Sequence, residues 1–250
     1  LGPTRRARDD LVAATRPTRD NSPMLIGDIL RRQAAPTGRP IHPAIIHEGG
    51  MTTFADLFEA STRVARALIT LGAKPGARVA LLGRNSPEWV ATYYGAALAG
   101  VILVPLNYWF RASEVEYALN DSGATVVIAD RDHGAIVEHV RDGGHAPCVH
   151  HWAWLDEIAN IGTGGAGPAD PFMHDTTFPV IDEDAPHIIL YTSGTTGFPK
   201  GAVMSHRAHV LHATTFALNV GAHPGDTYLN VYPLFHTGGT DCALLPFHVV

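Results

Sequence analysis

The chain has 250 residues, of which 46% are apolar and 17% charged, enough to bury a globular core and too apolar for a disordered segment. Its 24 acidic residues outnumber its 18 lysines and arginines, and the formal charge of -6 offers nucleic acid no basic footprint. Cys148 and Cys242 are too few and too unpatterned for a disulfide framework or a zinc site, which makes a reducing cytoplasm the default location.

Residues 1–22 scatter Arg5, Arg6, Arg8, Arg16 and Arg19 among small and polar residues with no apolar period, the pattern of a loosely ordered lead-in. At this length residues 23–250 could form one large domain or two small ones. Met24 to Ala34 reads as a helix and Ala44 to His47 as a short strand. Thr53 opens a helix with an apolar face of Phe54, Leu57, Phe58, Val64, Leu68 and Leu71, closed by Gly72. Arg78 to Leu82 is a strand. Ser86, Pro87 and Glu88 then supply an N-cap, a first-turn proline and a first-turn acid for a helix that Gly100 stops, and Val101 to Pro105 is a β-branched strand. No charge occurs from Trp89 to Phe110, a length that could span a bilayer. A buried helix followed by a buried strand accounts for that stretch without an integral membrane segment.

Ser113 and Glu116 have capping-box spacing for a helix to Asn120, and Thr125 to Ala129 is another strand. Trp152, Trp154, Leu155 and Ile158 are expected to anchor a short helix ahead of a Gly-rich connection around 160–171. His187 to Tyr191 is a strand, Ala202 to Ser205 a second, Arg207 to Val220 a helix and Tyr228 to Tyr232 a further strand. Strands separated by helices predict an α/β fold with mainly parallel sheets flanked by helices. The pairs His150-His151 and His206-x-x-His209 lack Cys or carboxylate companions at ligand spacing and read as solvated or capping histidines, with no metal site.

Tyr191-Thr-Ser-Gly-Thr-Thr-Gly-Phe-Pro-Lys-Gly201 is the segment richest in chemistry. Gly194, Gly197 and Gly201 permit backbone angles closed to other residues, so that consecutive amides can converge on an anion. Thr192, Ser193, Thr195 and Thr196 add hydroxyl donors and Lys200 a compact charge. Only Lys74 and Lys200 are lysines in a chain that otherwise uses arginine, which suggests that a flexible point charge is needed in this loop. The Walker pattern G-x-x-x-x-G-K-[ST] fails here. Counting from Gly194, its second glycine falls on Pro199, and Gly201 follows the lysine where Ser or Thr is required. The apolar residues on both sides make this a strand-loop-strand phosphate cradle.

These residues resemble the signature loop of the adenylate-forming superfamily, which contains acyl- and aryl-CoA ligases, luciferases and peptide-synthetase adenylation domains. Pro233-Leu-Phe-His-Thr-Gly-Gly239 resembles the segment that lies beside the acid's carboxylate in CoA ligases of that family. The two motifs stand in the family's order and at its usual separation. The resemblance implies ATP-dependent activation of a carboxylic acid, fatty or another acyl acid, to an acyl-adenylate and then to an acyl-CoA, with ATP, Mg2+ and coenzyme A taking part. It implies that Thr192, Ser193, Gly194, Thr195, Thr196, Gly197 and Lys200 hold the β- and γ-phosphates. His236 would face the carboxylate, Phe235 would wall the acyl pocket, and Gly238 and Gly239 would let a ligand pass close to backbone, unless they serve tight helix packing. Lys200 and His236 are the candidate catalytic residues.

Members of the family are much longer, and the resemblance places the adenine-, ribose- and Mg2+-binding segments, the hinge and the small domain with its catalytic lysine outside these residues. The chain is therefore expected to be an N-terminal fragment, inactive alone. Two alternatives are a peptide-synthetase-type adenylation domain and a non-catalytic nucleotide-binding module. The first is disfavoured because Asp241 does not match the aspartate that meets a substrate ammonium in those relatives. The expected partners are the small acid, ATP and CoA, with a homodimer an open option.

Overall fold

The computed structural model describes residues 23–161, 178–192 and 199–250. The expected lead-in and most of the 160–171 connection lie outside these residues. Helix α1 (Ile26–Ala34) precedes an antiparallel hairpin of β1 (Pro43–His47) and β2 (Gly50–Thr53). There follow α2 (Phe54–Thr70), β3 (Arg78–Leu82), α3 (Pro87–Ala99), β4 (Ile102–Leu106), α4 (Ala112–Ser122), β5 (Val126–Ala129), α5 (Gly134–Asp142) and β6 (His151–Trp154). The chain continues through β7 (Pro186–Thr192), β8 (Lys200–Ser205) and α6 (His206–Val220) to a helical run made of Thr237–Gly239, a π-helical Thr240–Leu244 and Leu245–Val249.

Six strands form one sheet in the order β6-β5-β3-β4-β7-β8, all parallel except the β7–β8 pair. Alternation along the strands divides the core in two. Val79, Leu81, Leu103, Val126, Ile128 and Ile188 face α1, α2, α3 and α6. Ala80, Leu82, Val104, Leu106, Val127 and Ala129 face α4 and α5. A helix layer on each face of a mostly parallel sheet is the expected α/β architecture.

Local cap chemistry sets the helix ends. Thr53 and Asp56 bond reciprocally at the start of α2. Ser86 caps α3 by accepting the Trp89 N–H at 3.1 Å, and Gly100 closes it in the left-handed region at φ 68°. Every residue from Trp89 to Ala99 is buried, which explains the uncharged stretch. Among the described residues no helix is long and apolar enough to cross a membrane.

Four expectations require correction. The capping box of α4 is formed by Glu114, which accepts the Arg111 N–H at 2.8 Å, rather than by Ser113 and Glu116. Trp152 and Trp154 lie in β6, paired with β5, because an open sheet edge outbids a single helical turn; only Ile158–Asn160 winds, as a 3-10 turn. Tyr228 to Tyr232 is not a strand, since none of the described strands lies alongside to take its hydrogen bonds. His206 and His209 are buried rather than solvated, although His206 does act as a cap, its Nδ1 accepting the Ile26 N–H at 3.4 Å at the start of α1.

Candidate functional site

Parallel strands send their C-terminal ends to one edge of the sheet, where loops can converge on a ligand. Here that edge receives Arg84–Asn85 after β3, Asn107–Phe110 after β4, Asp130–His133 after β5 and the loop after β7. Both candidate motifs attach to it.

The first is framed by β7 and β8, which pair with Thr192 opposite Lys200 and Tyr191 opposite Gly201. Thr192 Oγ1 lies 3.4 Å from the Lys200 carbonyl oxygen, so both ends of the cradle are tied at its mouth. Ser193, Gly194, Thr195, Thr196 and Gly197 lie outside the described residues. Helix α4 supports the base from one side. The Tyr117 hydroxyl donates to the Pro199 carbonyl at 3.1 Å, and the Tyr191 hydroxyl donates to Asp121 Oδ2 at 2.6 Å. Burial, reinforced by that bond to Asp121, pushes the Tyr191 hydroxyl well above its ordinary range, so it stays a donor. The expectation for Gly201 is corrected: it is a strand residue without positive φ, and its value is steric. A Cβ there would lie 2.7 Å from Ile189 Cγ2.

Pro233 to Gly239 forms the second element. Phe235 packs edge-on against Tyr108 and Trp109, with ring centroids 5.2 and 6.0 Å apart, and the Arg84 guanidinium lies 5.5 Å from the Tyr108 ring centre. The Tyr108 carbonyl accepts a hydrogen bond from His133 Nε2 at 2.8 Å, while His133 Nδ1 meets Asp130 at 2.5 Å. His236 is exposed and sits at an N-cap, where its Nδ1 accepts the Gly238 N–H at 3.2 Å. An acceptor Nδ1 places the ring proton on Nε2, which has no hydrogen-bond partner among the described residues and can donate to an anion. Gly238 adjoins the Tyr232 ring, and Gly239 is pressed against the Pro233 carbonyl. For Gly239, tight packing is therefore the geometric reason for a glycine.

Sequence reasoning did not find the residues that hold these two elements. Tyr117 carried no signal beyond an ordinary helix position, and Asp121 fell just past the expected helix end at Asn120. Asn85 drew no reading at all, yet its side chain bonds to the backbone of Tyr232 and of Leu234. A buried polar cluster under β7 was missed as well: His187, His206 and His209 are fully buried, and His209 Nδ1 lies 3.0 Å from Asp241 Oδ1. Asp241 thus belongs to the interior below the second motif.

The sequence model of the AMP-binding enzyme family matches residues 30–249. A fatty acid–acyl-carrier-protein ligase of Streptomyces coeruleorubidus is 35% identical over 204 residues, covering 80% of this chain and 38% of that protein. A feruloyl-CoA synthase of an Amycolatopsis species is 31% identical over 207 residues, covering 83% of this chain and 39% of the relative. Among solved structures, an anthranilate CoA ligase in complex with anthranoyl-AMP superposes with a TM-score of 0.78 at 27% identity, over 90% of this chain and 42% of that one. ATP-bound MatB from Rhodopseudomonas palustris gives 0.76 at 25% identity, over 89% of this chain and 43% of that one. The chain spans less than half the length of each of these four proteins.

Proposed function

The chain belongs to the AMP-binding enzyme family, and from that premise we propose that its protein activates a carboxylic acid with ATP and passes the acyl group to coenzyme A. Residues 23–250 are then the N-terminal portion of the ATP-binding large domain. The observation that carries this reading is the arrival of the Thr192–Lys200 cradle and the Pro233–His236 segment at one sheet edge.

A carboxylate oxygen attacks the α-phosphorus of ATP, the bond to the pyrophosphate oxygen breaks, and an acyl-adenylate forms. The thiolate of coenzyme A then attacks the acyl carbon and AMP leaves. Acid and triphosphate repel each other, so fixed donors and a cation must be in place before they meet. Lys200 and the loop from Thr192 hold the β- and γ-phosphates, which become the leaving group. His236 offers its Nε2–H to the acid's carboxylate, and Phe235, braced on Tyr108 and Trp109, walls the acyl group. Among the described residues no group of three His, Cys, Asp or Glu is placed to hold a metal ion. The free thiols Cys148 and Cys242 support a cytoplasmic setting.

The relative that is 35% identical and named as an acyl-carrier-protein ligase favours a second reading, in which a carrier-protein thiol is the acceptor. The test is acid-dependent pyrophosphate release by the full-length enzyme across fatty, aryl and small acids, followed by transfer to either thiol. Release with at least one acid is expected, and Lys200→Ala should lower it by about 100-fold or more, the scale for losing one preorganised charge partner. Silence toward every acid overturns the reading, and unchanged turnover in Lys200→Ala removes the lysine's role.

A further inference from the structure

We infer that Asn85 is a positioning residue for the acid-binding segment, fixing Pro233–His236 by a two-point clamp on its backbone; the inference rests on the function proposed above. Asn85 Nδ2 donates to the Tyr232 carbonyl and Asn85 Oδ1 accepts the Leu234 N–H, each at 2.8 Å. These groups flank Pro233, which has no N–H of its own. A carboxamide presents a donor and an acceptor side by side, as a peptide unit does, so the Asn85 side chain stands where a neighbouring strand would otherwise pair. Asn230 repeats the device from the other side. Its Nδ2 donates to the Gly239 carbonyl at 3.2 Å, and its Oδ1 accepts the Tyr232 N–H at 3.0 Å.

The clamp is needed because the approach to the motif has no ladder. Tyr228, Leu229, Val231 and Tyr232 are exposed and outside any strand, and the first buried residue is Leu234 at 4% exposure. Asn85 is itself held on both sides. The Arg84 N–H donates to Asp130 Oδ2 at 2.9 Å, and Ser86 caps α3. A rigid turn thus reaches 147 to 149 residues along the chain and sets the height of the segment that carries His236.

Without the clamp, Leu234 and Phe235 still anchor the segment by packing, so the fold persists while His236 drifts. A displacement of about 1 Å at a reacting centre can cost on the order of 100-fold. In the full-length enzyme, Asn85→Ala should lower kcat/KM for the acid by about 10- to 100-fold, with KM for ATP within about threefold of wild type. Asn85→Asp keeps the acceptor for Leu234 but turns a carboxylate oxygen toward the Tyr232 carbonyl, and should fall between the two. Hydrogen exchange of the peptide covering 233–236 should speed up in Asn85→Ala. Acid parameters within twofold of wild type, or acid and ATP parameters falling together, overturn the inference. Should Asn85→Ala not fold, Asn85→Asp decides by the same criteria. If wild type is silent toward every acid, the function proposed above has failed, and unchanged exchange at 233–236 would overturn the clamp independently.

Discussion

A Cβ placed on Gly239 would lie 2.2 Å from the carbonyl oxygen of Pro233 and 2.6 Å from its carbon. The backbone there is ordinary helix, φ -79° and ψ -41°, so no conformational strain calls for glycine; only space does. Both crowded atoms are main-chain and cannot rotate away. Gly239→Ala must therefore push Pro233 off the Asn85 clamp, at a cost of roughly 1–3 kcal/mol for overpacking. Gly238 differs, because its Cβ would rest against the Tyr232 ring at 3.4 Å, a side chain able to yield. Thermal melts should show a clear loss for Gly239→Ala and a stability near wild type for Gly238→Ala. Equal melting temperatures for the two variants would refute this steric account.

At the level of elements, two helix contacts differ for the same steric reason. Gly95 in α3 faces α2 so closely that a Cβ would meet Val64 Cβ at 2.8 Å and the Ser61 carbonyl at 2.9 Å. A β-branched stem and a main-chain oxygen give little, so Gly95→Ala should cost roughly 1–3 kcal/mol. Gly27 in α1 meets only the end of Leu98, at 2.8 Å from Cδ2, and alanine there regains about 1 kcal/mol of helix propensity. Urea midpoints should place Gly95→Ala well below Gly27→Ala; the reverse order would show that the α2–α3 contact is softer than its geometry.

The elements that sequence predicted well are those whose signals are local. Ser86, Pro87 and Gly100 bracket α3 because a cap and a left-handed stop act within one turn. Strands need partners, and that is where prediction failed. Tyr228 to Tyr232 has strand residues but nothing to pair with among the described strands, whereas His151–Trp154 found the edge of β5. The candidate site divides along the same line. Thr192 and Lys200 were singled out by the residue types of their loop and its resemblance to a family signature, but Asn85, Tyr117 and Asp121 act across 70 to 149 residues and leave no pattern in the chain.

For the molecule as a whole, the interior carries imidazoles where an α/β core would ordinarily be apolar. His187 sits in β7 with neither ring nitrogen bonded among the described residues, against Tyr93 of α3 at 4.9 Å and against His206 and His209 of α6 at 4.8 and 5.8 Å. Asp241, beside His209, is the carboxylate facing this cluster. Burial holds His187 well below the usual imidazole value of 6.5, with His206 and His209 adding to the effect. Burial, then His209, brings His206 down to about 4, and burial also brings His248 down to about 4, against its bond to the Ala44 carbonyl. A histidine lowered in the folded state stays neutral there while the unfolded chain takes up a proton. Its stabilising effect is therefore complete above pH 6.5 and is lost as pH falls from 6.5 toward about 4. Each such group adds at most one proton to the difference between the unfolded and folded chain, about 1.4 kcal/mol per pH unit, and all three act in the same direction. Urea unfolding at stepped pH should show that fall well before ordinary carboxylates titrate. His187→Leu removes a buried, unpartnered polar ring and should flatten the slope by about one proton. A slope unchanged in that variant would mean that His187 is already protonated in the fold, and that the cluster carries a charge paired with Asp241.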